Sequence, residues 1–265
     1  MPQSPRSLRL TNAYRQRVLA TRQRLQTQAE RTWPTIETLD GSDWVDRMAA
    51  ALTQAQAEAV RVSAAYLSAF LASETGKRGT VSIESKNFAG RSRDGRPLAE
   101  SLRSPIIGTL KALKDGLGAS EALSVGLNRA VRMVGVDYDN AHHTALLQTI
   151  DSDERFDGWQ RSLSGTCGAC ASVASGVSHS LAFPVHPGCK CVASPIVKGA
   201  ANTFPVPTGV EVFNDKTQEQ QDEMLGPDVA ALVRAGILTL DDLKGTSELD
   251  SEPSFITQKP LSAVT

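Results

Sequence analysis

Aromatic side chains are scarce here: 265 residues hold three Trp, three Tyr and seven Phe, and cysteine and histidine number only four each. So thin an aromatic supply, set against abundant alanine in the first half, argues against a β-sandwich and for helices. No apolar run approaches the roughly twenty residues that cross a bilayer, and no charged-then-apolar leader opens the sequence. A soluble, reducing setting with no membrane partner is therefore expected. The signatures H-E-x-x-H, G-x-S-x-G and H-x-E followed by P-C-x-x-C are all missing, which removes the metalloprotease, hydrolase-elbow and zinc-deaminase readings. Neither an enzyme activity nor a small-molecule substrate is expected. The chain is nevertheless 40% hydrophobic, enough to build the core of one large domain or two small ones.

The few cysteines are concentrated. All four fall in one window, Cys167-Gly-Ala-Cys170 and then His186-Pro-Gly-Cys189-Lys-Cys191. A pair at x2 spacing sets two thiolates on one tight turn, and a second knot of His and Cys closes a tetrahedral sulfur/nitrogen cage of the kind Zn2+ prefers. Five candidates compete for four seats. Cys167 and Cys170 are expected to bind with two of His186, Cys189 and Cys191, with His186 and Cys189 the favoured pair and Cys191 next. Four protein ligands leave no position for water, so the zinc is expected to be structural. A redox pair is the competing reading of CxxC, but no βαβ pattern surrounds it. Disulfides would need an oxidising compartment.

The net charge of −1 conceals a polarity along the chain. Residues 1–33 carry Arg6, Arg9, Arg15, Arg17, Arg22, Arg24 and Arg31 against the single acid Glu30, whereas residues 211–252 hold eleven acids against Lys216, Arg234 and Lys244. Each end is suited to a partner of opposite sign, or else is simply a solvated face.

Hydrophobic spacing predicts a helix over 7–32, with Leu10, Tyr14, Val18 and Leu25 on one stripe and arginines covering the rest, stopped by Trp33-Pro34. A second runs from Trp44 to about Ala72 through Met48, Leu52, Ala55, Val62, Tyr66 and Phe70. Residues 74–97 read as a loop or exposed arm. Helices resume at 98–115, with Leu102, Ile106, Leu110 and Leu113 as the apolar stripe. They continue from Ser120 to Met133 and from Asp137 or Asn140 to Ile150. Alternation of bulky and polar groups over 155–163 predicts a strand, and Ala193-Ser-Pro195-Ile-Val197 reads as a returning one, so that the two bring the halves of the metal cage together. The fold class is thus mainly α: an N-terminal helical bundle or long-helix region plus a small zinc-stapled α+β module. Its parts are a helical region at 1–150, the zinc module at 151–198, a linker at 199–209, an acidic helical segment at 210–244 and a disordered tail at 245–265. Within the acidic segment one helix is expected from Lys216 to Ala235, capped by Gly236. His142 and His143 read as a surface and a half-buried histidine. Trp44, Trp159 and Tyr66 read as core anchors.

A long helical region followed by Gly158-Trp159-Gln160-Arg161, Cys167-Gly-Ala-Cys170 and His186-Pro-Gly-Cys189-Lys-Cys191 resembles the MuF-like head morphogenesis family, the minor capsid proteins of tailed bacteriophages. The closing segment, with Glu219-Gln220-Gln221-Asp222, Leu225-Gly226 and Arg234-Ala-Gly236, is similar to the tail that follows this module in actinophage-type members. The likeness covers about 155–243. It implies a low-copy structural protein inside the procapsid and later the virion, associated with the portal or the major capsid protein and assembled in the host cytoplasm. Two other roles stand beside it. A capsid maturation protease would draw on Ser175, Ser178, His179 and Ser180, but such groups in a polar loop are more often turn formers. A DNA-binding packaging or ejected protein would use the arginine-rich first helix.

Overall fold

The computed structural model describes residues 5–40, 42–164, 168–172, 174, 176–183, 189–200, 208–240 and 242–243. Cys167, Ser175, His186, most of the expected linker and the expected tail at 245–265 lie outside them. The described chain is mainly helical with one small sheet. Helices α1 (Pro5–Arg31), α2 (Ser42–Thr75), α3 (Leu98–Ser101), α4 (Arg103–Lys114) and α5 (Ala119–Ser152) precede strand β1 (Phe156–Ser162). Helix α6 (Gly168–Ser172), strand β2 (Val192–Val197) and helices α7 (Gly209–Asn214), α8 (Gln218–Leu225) and α9 (Pro227–Arg234) follow. Two compact units are not consecutive stretches of chain. One draws on Met1–Arg15, Tyr66–Val81 and Leu147–Thr257, the other on Gln16–Ala65 and Ser82–Leu146.

In the second unit the apolar stripes of the long helices bury Val18, Leu25, Trp44, Met48, Leu52 and Val60. The Trp33 and Trp44 rings meet edge to face, 4.8 Å between centroids. Residues 119–152 form one continuous helix rather than two. Val134, Gly135, Val136 and Asp137 are weak helix formers, and it is their largely buried setting that carries the helix through. Glycine on this helix is a packing device instead of a break: a Cβ at Gly126 would fall 2.7 Å from the Trp33 ring and 3.0 Å from the Pro105 carbonyl. Helices α3 and α4 replace the single helix expected at 98–115, and Leu110 on the anticipated stripe is half exposed.

The loop at 82–97 is pinned rather than free. Phe88 packs with Val60, Ala145 and Ile83, and the buried Gln56 side chain accepts from Gly90 N and donates to the Arg91 and Asp137 carbonyls. His142 and His143 are both buried, contrary to the split expected of adjacent helical positions; their turn of α5 is covered on more than one side. Nor do arginines simply coat α1. Arg22 is buried and paired with Asp139 at 2.7 Å, Asp139 lying also 3.5 Å from His142 Nε2. Arg15, in the first unit, is buried as well.

Asp137 is a costly group to bury in this interior. Burial pushes its carboxyl up to about 7, against the opposing pull of the Arg93 N–H that donates to Oδ1. No described residue hydrogen-bonds Oδ2. Because the folded value lies above the unfolded one of about 3.9, the group favours the fold fully below pH 4, and that contribution is lost as pH rises through 7. Asp137→Asn is therefore expected to raise stability by on the order of 2–4 kcal/mol at pH 8 and by little near pH 4, as read by urea melts at both pH values. A difference independent of pH would contradict this origin.

Candidate metal centre

Strands β1 and β2 are antiparallel neighbours, with Ser162 opposite Val192 and Arg161 opposite Ala193. The predicted strands are thus present in the predicted pairing. Their register sets Cys191, the residue before β2, beside the end of β1. Residues 178–183 fold back over the same strand. Trp159 and Ser178 exchange two backbone hydrogen bonds, at 2.9 and 2.7 Å, and the Trp159 Nε1 donates to the Ser180 carbonyl. Phe183 is fully buried against Trp159 and under Arg161, whose guanidinium carbon lies 3.9 Å from the ring centre.

Cys170 arrives on α6, a helix too short to be stable alone. It is held from behind by the C-terminal helices. Ala171 joins Phe213, Met224, Ala230 and Leu240 in one apolar cluster. Two glycines let backbones touch there: a Cβ at Gly209 would fall 1.8 Å from the Ala171 carbonyl oxygen, and one at Gly168 would fall 2.4 Å from that of Met224. The acidic segment is therefore a bracket for α6. It consists of three short helices: α7 precedes the helix expected from Lys216 to Ala235, and that one is divided in two because Gly226, at φ 80°, and Pro227 end α8 and start α9. Thr208 with Glu211 and Thr217 with Gln220 close capping boxes on α7 and α8. Gly236 ends α9 at φ 68°, as the sequence suggests.

The outcome is that Cys170, Cys189 and Cys191 bury their sulfurs together, all within 4.8 Å of one another. Cys170 and Cys189 are 3.5 Å apart, far beyond the roughly 2.05 Å of a disulfide. Four sulfurs each about 2.3 Å from a central Zn2+ would lie about 3.8 Å apart at the corners of a tetrahedron, so the spacing suits a metal ion. A hydrogen bond with Cys170 favours the Cys191 thiolate. The bond with Cys189, burial and the Cys189 charge outweigh it and push the thiol up to about 11, with Arg161 drawing weakly the other way. A bound cation would replace the thiol protons, which is the ordinary exchange at such sites. Three of the five sequence candidates thus meet. Cys167 and His186 lie outside the described residues.

Residues assigned no part in the site from sequence pack against the strands that frame it. Thr11 Oγ1 lies 2.9 Å from the Tyr66 hydroxyl and 3.4 Å from Ser194 Oγ on β2. Tyr14 stacks on Tyr66 at 4.5 Å. Arg15 Nη2 donates to the Ser162 carbonyl at 3.1 Å and to its hydroxyl. Burial lowers the Arg15 pKa, and Cys191 and Tyr66 partly restore it. Arg15 and Arg161 thus both act on Cys191, each favouring its charged form. Ser7, Thr11 and Arg15 all stand on the buried stripe of α1, and polar residues at such positions were the available signal.

The serine and histidine group offers less. Ser178 Oγ accepts from Ser180 N, and Ser180 Oγ accepts from Ala182 N. Among the described residues no hydroxyl is hydrogen-bonded to His179. Set against known proteins, the chain matches no family model, no curated protein and no solved structure. The site must be read from its own residues.

Strong chelation is expected to speed amide exchange in β1, α6 and β2 and, through Thr11 and Arg15, in residues 5–15. Thr11→Val should cost about 1–2 kcal/mol by leaving buried hydroxyls short of a partner. Unaltered exchange at 5–15 after chelation, measured by mass spectrometry, would show that the first turns of α1 do not depend on the centre.

Proposed function

We propose that the chain is a minor capsid, head morphogenesis protein of a tailed bacteriophage: a non-enzymatic structural component of the procapsid interior, associated with the portal. The observation that carries this reading is the meeting of Cys170 with Cys189 and Cys191, since these belong to the two halves of the motif through which the sequence resembles the MuF-like family. The bracket around α6 adds support, because it is built from the Gln-rich and Leu-Gly segments of the same resemblance. Zinc is the ion that best suits a small buried set of thiolates. Cys170, Cys189 and Cys191 would supply three ligands, with Cys167 or His186 as the fourth.

A metal saturated by protein donors has no place for substrate or water, so its work is to hold the module's shape. The α6 bracket and the strand pair would then present a fixed surface to the portal or the major capsid protein. The Ser178–Ser180 hydroxyls are engaged in local turns, which favours a structural role for this loop over a protease site.

Mass spectrometry of purified particles, from the phage that encodes the chain, tests the assignment. The protein should be present in mature heads at low copy, and Cys189→Ser should sharply reduce its incorporation. Its absence from both procapsids and mature heads would overturn the reading.

A further inference from the structure

Five of the seven arginines of α1 do two different jobs, and the fold sorts them. Arg15 and Arg22 turn inward, the first to Ser162 and the second to Asp139. Arg17, Arg24 and Arg31 turn outward. They stand seven residues apart and so share one helix face, with a rise of about 10.5 Å between neighbours. Small residues, Ala20 and Thr27, fall midway between them, and with Gln23 and Gln28 they line a shallow, open trough beside Arg24 and Arg31 along this face. Among the described residues no carboxylate lines it.

We propose that this face of α1 binds the phosphate backbone of duplex DNA. The interval of about 10.5 Å is close to the roughly 12 Å width of the DNA major groove, so successive arginines can reach phosphates on its two walls. Every basic residue of α1 is arginine. Arginine binds phosphate through a planar two-pronged fork, whereas a face needed only for solubility is served equally by lysine. No aromatic ring lines the trough, so stacking on unpaired bases is not what it offers; the deep, narrow major groove of duplex RNA would not admit the helix. The one acid of α1, Glu30, is exposed beside Arg31 in sequence. Glu58 lies 3.5 Å from Arg17 in an exposed pair and is also bonded to Arg61 at 2.9 Å. Such a pair opens at little cost. The inference rests on α1 alone and stands whether or not the chain is a capsid protein.

The test is fluorescence anisotropy of the full chain with a labelled mixed-sequence DNA duplex over a range of salt concentrations. The triple variant Arg17→Ala, Arg24→Ala, Arg31→Ala should weaken binding about tenfold or more at low salt. It should also flatten the log–log salt slope by about 2.7, the value for three released phosphate contacts. A second triple, Lys77→Ala, Arg78→Ala, Lys198→Ala, removes exposed cations from another groove and should bind as the wild type does. All substituted residues are exposed, and unchanged melting confirms the fold of both variants. Three outcomes each overturn the proposal: no duplex binding by the wild type at low salt, equal loss in both triples, or displacement of the duplex by polyglutamate at equal charge concentration.

Discussion

Three buried sulfur atoms bring together the two halves of the cysteine-bearing segment. Cys170 and Cys189 are 19 residues apart in the chain and 3.5 Å apart in space. Their approach, with Cys191, closes a segment that has little else to close it. A two-stranded sheet is marginal by itself, and a five-residue helix is not stable alone. Small modules of this kind need a staple. Buried thiols with no cation between them gain only weak hydrogen bonds, whereas a metal ion converts the same geometry into folding free energy.

The centre is also better embedded than a free-standing finger would be. On one side, backbone contacts at Gly168 and Gly209 fix α6 against the C-terminal helices. On the other, β2 and the end of β1 carry hydroxyl and carbonyl partners for Thr11 and Arg15. Buried polar contacts of this type add little net stability, but they are demanding of geometry, because a displaced partner leaves a buried group unsatisfied. They favour one seating of the first turns of α1 over its alternatives. The first unit is accordingly assembled from the start, middle and end of the chain.

Much of this was legible in the sequence, for identifiable reasons. Alternation of bulky and polar groups located β1, although both faces of β1 and β2 prove largely buried, and three- and four-residue spacing located α1 and α2, because one face of each is buried. The cysteine spacing anticipated a cluster that the fold assembles from Cys170, Cys189 and Cys191. The misreadings came where tertiary context outweighs local signals. Gly126 and Gly135 stand inside α5, and Gly126 serves close packing instead of ending it. His142 and His143 are enclosed by neighbours that helical periodicity cannot register. Conversely, Gly226-Pro227 was a legible break that an even spread of acidic residues obscured. The arginines of α1 looked alike because charge is visible in a sequence and burial is not.

The most direct test of the account is X-ray absorption at the zinc edge, with metal content measured on the same purified protein. The account predicts one zinc per chain in a four-coordinate shell with at least three sulfurs at about 2.3 Å and no water ligand. A folded protein without metal, or an ion bound mainly by oxygen with an exchangeable water, would contradict it.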